Sequence, residues 1–310
     1  MPGCTTSPLE IDPATSPSLL TAARTAVPDL LILTKPEVNF LIVIATCAGF
    51  YLGCPGNLQP FPIGRLLNAL WGTLLVASGT GALNQYLEYG FDAQMRRTWR
   101  RPVAAGRLSP STACWFGISV SVIGAAYLLI TVNALASVLA VLTLASYLLV
   151  YTPLKRKTSL CTLVGAFPGA MPPLIGWAAA SGSVSSGSAW ILYAVLFLWQ
   201  FPHFMAIAWM YREDYARAGY RIFPAKRVRR FLTSLTLGPS VALLLAGFAA
   251  VAANRGDIAQ YCATVMLGAG LLYYAFRLVF LRSRIAARHL LRASIIYLPL
   301  ECLILILRKS

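Results

Sequence analysis

The chain has 310 residues, of which 58% are hydrophobic and only 12% charged; a soluble domain carries roughly 25% charged residues, so an integral membrane protein is required. The apolar residues form continuous runs and not alternating ten-residue strands, which excludes a β-barrel. The net charge of +16 lies in short basic clusters between apolar runs, the pattern of cytoplasmic loops, so the expected partner is the lipid bilayer and no nucleic acid.

Residues 1–28 hold Pro, Ser and Thr and few charges. They lack a basic stretch followed by an apolar core, so no cleaved secretory signal is expected and they read as a flexible cytoplasmic tail. Residues 29–310 read as a single transmembrane domain. Nine apolar segments follow, at 37–54, 66–85, 112–131, 134–151, 160–180, 189–211, 231–253, 258–280 and 290–307, each near the roughly 20 residues that cross a bilayer. Only Val132 and Asn133 separate the third from the fourth, which predicts a tight helical hairpin. The fifth carries Gly165, Gly169, Gly176, Pro168, Pro172 and Pro173, which predicts close helix contact and a bend. The fold class is therefore all-α, with nine transmembrane helices.

With the N-terminus inside, every Lys and Arg falls on the inner face except Arg65, Arg255, Arg308 and Lys309. That asymmetry sets a cytoplasmic N-terminus and an outer, periplasmic C-terminus. It also puts the loops after helices two, four and six on one face. Without an Arg-rich transit segment the expected location is a bacterial inner membrane. The seven cysteines show no metal-ligand spacing and read as small buried hydrophobes. His289, beside Arg288 in a basic loop, reads as interfacial.

The chemistry concentrates at the inner ends of helices two and six. Asn84, Glu88 and Asp92 recur at four-residue steps, followed by Arg96, Arg97, Arg100, Arg101 and Arg107. Positions i, i+4 and i+8 share a helix face. Three oxygen-bearing side chains with cations beyond them suit a hard divalent cation and an anion bridged to it, such as a diphosphate. Glu213 and Asp214 form a second acidic cluster after helix six. Interfacial pairing with the neighbouring arginines is the alternative for all these carboxylates. Lys155 and Arg156 read equally as a topology signal or as a loop that closes over an anion. His203, alone in its helix, is either packed core or a ligand.

The run Asn84, Glu88, Asp92, Met95, Arg97, Thr98, Arg101, Pro102 resembles the first acidic motif of the UbiA-like superfamily of intramembrane prenyltransferases. Within it the chain is most similar to the protohaem IX farnesyltransferase family. Thr34-Lys35-Pro36, Tyr151-Thr152-Pro153-Leu154-Lys155-Arg156, Trp199-Gln200-Phe201-Pro202-His203-Phe204 and Asp214-Tyr215 agree with it. The resemblance implies nine helices around a central cavity, with Mg2+ held by Asn84, Glu88, Asp92 and Asp214 as catalytic ligands. It implies farnesyl diphosphate on Arg97, Arg101, Lys155 and Arg156, and protohaem IX near His203, giving haem O for terminal-oxidase maturation and contact with downstream haem-modifying or oxidase-assembly proteins. Trp199, Phe201, Phe204 and Trp209 would line the substrate cavity. The chain departs from the pattern at Glu88 and Gly90, where Asp is usual, and at Glu37, Cys161 and Met210. The alternatives are an aromatic acceptor on the same fold and a non-catalytic haem carrier or transporter.

Overall fold

The computed structural model describes residues 27–56 and 60–307. Most of the expected tail lies outside the described residues; Val27 and Pro28 already belong to a short helix at 27–33. Among the described residues nine helices are long and apolar enough to cross a membrane. They are α1 (Pro36–Gly53), α2 (Ile63–Asp92), α3 (Pro110–Thr131), α4 (Ala134–Leu154), α5 (Cys161–Ser181), α6 (Gly187–Met210), α7 (Val228–Ala253), α8 (Ile258–Leu281) and α9 (Arg284–Ile306).

Most boundaries agree with the apolar segments to within three residues, and two do not. Helix α2 continues to Asp92, seven residues past the end of its apolar run, so Asn84, Glu88 and Asp92 all sit on regular helix. Helix α9 begins at Arg284, where the Ser283 hydroxyl accepts the Ala286 N–H as an N-cap. Arg284 and Arg288 therefore project from a helix and not from a loop. His289 also lies on α9. Its ring meets Tyr274 of α8 edge-on and its Nδ1 is buried without a hydrogen-bond partner, so it is packed between helices instead of standing in a basic loop.

Helices α2 to α4 pack on one side and α6 to α9 on the other, with α1 and α5 between them. Helix α5 is 72% buried over its apolar window, whereas α4 is 22% buried; α5 is thus central and α4 faces lipid. Helix α5 is broken, as its prolines predict. Cys161–Gly169 and Pro172–Ser181 are separate helical pieces, because Pro172 and Pro173 supply no N–H to continue the ladder. The second piece lies against α1, and a Cβ at Gly176 would collide with the Thr46 carbonyl oxygen, as one at Gly49 would with that of Pro173. The two backbones meet where neither residue has a side chain. The hairpin between α3 and α4 turns at Asn133, whose side chain caps α4 through the Ala136 N–H and donates to the Ala178 carbonyl of α5. Among the described cysteines Cys54, Cys161 and Cys302 are buried, as expected, whereas Cys262 is exposed.

Gly176→Ala is expected to destabilise the protein by about 2 kcal/mol, since the backbones must separate to admit the methyl group. Thermal unfolding in detergent measures this. Gly270→Ala on α8, where a Cβ meets nothing within 4 Å, serves as the control and leaves the midpoint unchanged or raised.

Candidate active site

The α2 face that carries Asn84, Glu88 and Asp92 is turned inward; the three residues are 2%, 6% and 1% exposed. A carboxylate at such depth requires a partner, and each has one. Glu88 forms an ion pair with Lys155 and accepts the Tyr220 hydroxyl at 3.0 Å. Asp92 pairs with Arg101 at 2.7 Å. Asn84 donates to Glu88 at 2.9 Å and accepts from Lys35 Nζ at 2.6 Å. Burial, and then Glu88, raises the pKa of the Tyr220 phenol, so Tyr220 stays protonated and donates. Burial first, then the charge of Arg101, pulls the Lys35 ammonium down to about 7.

The backbone is shaped to bring these groups together. Lys35 adopts a left-handed φ of 54°, which costs on the order of 1 kcal/mol for a non-glycine residue. There it starts α1 with its amine aimed at α2. Gln85 Nε2 reaches the Ile32 and Leu33 carbonyls, and Arg107 grips Asp29 with two nitrogens at 2.9–3.1 Å; the short helix at 27–33 is thereby held to α2 and its following loop. Lys155 ends α4, and its carbonyl accepts the Arg221 N–H at 2.9 Å. Tyr220 sits next to Gly219, which turns the chain at a φ of 75°. The loops after α2, α4 and α6 thus converge, as their common basic character predicts.

The other expected residues are distributed around this cluster. Arg156 stacks over the Phe91 ring at 4.8 Å and pairs with no carboxylate among the described residues. Arg97 lies over Tyr211 at 5.4 Å, within electrostatic reach of Asp92 and Tyr215. Asp214 stands in an adjoining cleft of about 270 Å³, paired with Arg217 at 3.4 Å. Among the described residues no three His, Cys, Asp or Glu side chains converge on one point, so Glu88, Asp92 and Asp214 do not close into one nest. Lys35, Tyr220 and Thr152, whose hydroxyl faces Asn84 at 3.4 Å, were not expected in the cluster. Thr34-Lys35-Pro36 carried the only sequence signal for the first of them.

His203 lies two helical turns deeper on α6. Its ring stacks on Trp199 at 4.6 Å, and its Nδ1 is 2.9 Å from the Ser294 hydroxyl of α9. That hydroxyl donates its one hydrogen to the Leu291 carbonyl at 2.7 Å, so it accepts from Nδ1–H. With the hydroxyl hydrogen on the Leu291 carbonyl, the matching tautomer carries the proton on Nδ1 and leaves the Nε2 lone pair with no hydrogen-bond partner among the described residues. The Trp199 indole donates to the Ser294 carbonyl at 2.8 Å. Trp199 and Phe201 are buried in the core and Trp209 donates to the Arg282 carbonyl, so these three pack the helices together.

The UbiA prenyltransferase family matches residues 42–296. The chain is 41% identical over 280 residues to the protoheme IX farnesyltransferase of Solibacter usitatus (strain Ellin6076), covering 88% of this chain and 95% of that protein. It is 38% identical over 297 residues to the protoheme IX farnesyltransferase of Koribacter versatilis (strain Ellin345), covering 90% and 92%. Its fold is similar to that of digeranylgeranylglyceryl phosphate synthase, with a TM-score of 0.70 at 15% identity over 91% of this chain and 97% of that one. It is likewise similar to a UbiA homologue from Archaeoglobus fulgidus bound to GPP and Mg2+, with a TM-score of 0.61 at 13% identity over 90% and 100%.

Lys155→Met leaves Glu88 buried without its counter-ion and is expected to cost about 3 kcal/mol. Adding Glu88→Gln removes the stranded charge and should restore most of the loss in the same unfolding assay. A double variant no more stable than Lys155→Met contradicts the pairing.

Proposed function

The chain belongs to the UbiA prenyltransferase family, and on that premise we propose that it transfers the farnesyl group of farnesyl diphosphate to a vinyl group of protohaem IX, giving haem O. The observation that carries the acceptor is the 41% identity over nearly the whole length of a protein named for that reaction. The buried cluster on α2 supports the donor chemistry.

The donor set fits Mg2+. In phosphate sites this ion is held by one or two carboxylates, with phosphate oxygens and water completing its shell, so convergence of three carboxylates is not required. Asn84, Glu88 and Asp92 would hold it; Asp214, expected as a fourth ligand, is paired with Arg217 in the adjoining cleft and stands apart from that set. When bound, Mg2+ would neutralise the diphosphate and improve it as a leaving group. Lys35, Arg97, Arg101 and Lys155 stabilise the charge that grows on the diphosphate as the allylic C–O bond breaks. In doing so Lys155 and Arg101 exchange Glu88 and Asp92 for phosphate oxygens, and an anion beside Lys35 keeps its amine protonated. Arg156 lies at the rim of this group.

The acceptor is held deeper. In the tautomer with its proton on Nδ1 toward Ser294, His203 presents a lone pair on Nε2 suited to the haem iron. A new bond joins the vinyl carbon to the farnesyl C1 while diphosphate departs. Water then adds its hydroxyl to the carbon next to the ring and loses a proton, leaving a hydroxyethylfarnesyl substituent. The basic loops support reading this site on the inner face of a bacterial membrane, with the N-terminus inside and the C-terminus outside, and residues 29–310 as one domain.

Asp92→Asn is expected to lower farnesyl transfer by about a hundredfold or more, read as haem O formed from protohaem, farnesyl diphosphate and Mg2+. Unchanged turnover removes Asp92 from the site. A mixture of protohaem and 4-hydroxybenzoate tests the acceptor: protohaem alone should be consumed, and prenylation of the benzoate instead would replace this reading with the aromatic-acceptor one.

A further inference from the structure

The cleft beside Asp214 contains arginines that the reaction above leaves unused. Five of them, Arg96, Arg212, Arg217, Arg282 and Arg284, share it with only two carboxylates, Glu213 and Asp214. Arg212 and Arg217 pair with those carboxylates at 3.2 and 3.4 Å. The exposed side chains of Arg96, Arg282 and Arg284 have no hydrogen-bond or ion-pair partner among the described residues. They come from three places, the loop after α2, the α8–α9 turn and the first turn of α9. Three unpaired guanidiniums bordering one cleft supply an anion with cationic donors from three sides. The arrangement is also held in place: Arg282 sits at a left-handed φ of 45° and its carbonyl accepts the Trp209 indole N–H at 2.9 Å, which ties the turn to α6. The positive end of α9 opens into the same cleft.

We propose that this cleft binds the propionate carboxylates of the acceptor; the proposal rests on protohaem being that acceptor. Guanidinium forks match carboxylates two bonds at a time. Diphosphate has its own cations around Glu88. Met210, which lines the cleft, and His203 are seven residues apart on α6. They therefore share one stripe of the helix, about 10 Å apart along its axis. A flat apolar macrocycle with both carboxylates on one edge, laid along that stripe, would put its charged edge in the cleft at the membrane surface, its iron at His203 and its remaining edge deeper. The cleft thereby decides which edge of the porphyrin stays away from the surface.

The test compares protohaem with its dimethyl ester, in which both carboxylates are capped, on wild type and on Arg282→Gln/Arg284→Gln. Binding is followed by the Soret shift on titration into detergent-solubilised protein. Wild type should bind protohaem about tenfold more tightly than the ester, and the double variant should bind the two alike, because charge-assisted hydrogen bonds worth about 1.5 kcal/mol or more are lost only once. The KM for farnesyl diphosphate should not move. A preference for protohaem that survives in the variant overturns the proposal. So does a rise in the farnesyl diphosphate KM, which would make the cleft a diphosphate subsite. A third contrary outcome is equal weakening of both porphyrins that tracks phosphatidylglycerol content, which would make it a lipid headgroup site. Tight, cleft-dependent protohaem binding without haem O formation would support the cleft while refuting the farnesyl-transfer reading.

Discussion

The ion pair between Glu88 and Lys155 is the constraint on which the inner face of this protein depends. Its two members belong to α2 and α4, and the Tyr220 hydroxyl joins from the chain beyond α6. All three are buried. A carboxylate or an ammonium left alone at that depth is strongly unfavourable, whereas the hydrogen-bonded pair is tolerated. The inner end of α2, the end of α4 and the chain beyond α6 are therefore held to one another at this point. The Arg221 N–H to Lys155 carbonyl bond repeats the requirement in the backbone. Because Asn84 and Asp92 lie one turn either side of Glu88 on a regular helix, setting Glu88 sets both neighbours.

The middle of the membrane follows a different rule. No charge pairs α1 with α5; their approach is governed by absent side chains at Gly49 and Gly176. Without a hydrophobic driving force inside lipid, such close van der Waals contact is what holds helices together. The break at Pro172 lets one half of α5 follow α1 while the other packs near α6. A single bent helix thereby joins both halves of the fold.

The helical architecture was legible because the bilayer imposes length and hydropathy on every span. Its errors have a common cause. Polarity at Glu88 and Asp92, and at Arg284 and Arg288, bounded the apolar runs, but backbone hydrogen bonding extends the end of α2 and the start of α9 into polar sequence. Within the site, the residues on one helix face were legible from spacing alone. Their partners were not: Lys35 meets Asn84 across 49 positions and Tyr220 meets Glu88 across 132, and no local pattern encodes such distances. Likewise the spacing of His203 is silent on its proton. That depends on Ser294, 91 positions away, and on where the serine sends its own hydrogen.

Helix α4 is interrupted by a π-helical segment, Ser146–Tyr151, across which Thr152 Oγ1 reaches back to the Tyr147 carbonyl. Its buried positions are Ala136, Ser137, Ala140, Leu148 and Thr152, with Lys155 buried just past its end. From Ala140 to Leu148 an unbroken α-helix would rotate the stripe by about 80° away from its starting face, but one extra residue absorbed in a wide turn brings it back to within about 20°. The lipid-facing stripe of α4 therefore cannot be extrapolated through residue 146. Loss of one residue there would swing Thr152 and Lys155 around the helix while leaving the hydropathy of the span almost untouched. Two chains with indistinguishable hydropathy profiles can thus differ in whether this lysine meets its glutamate at all.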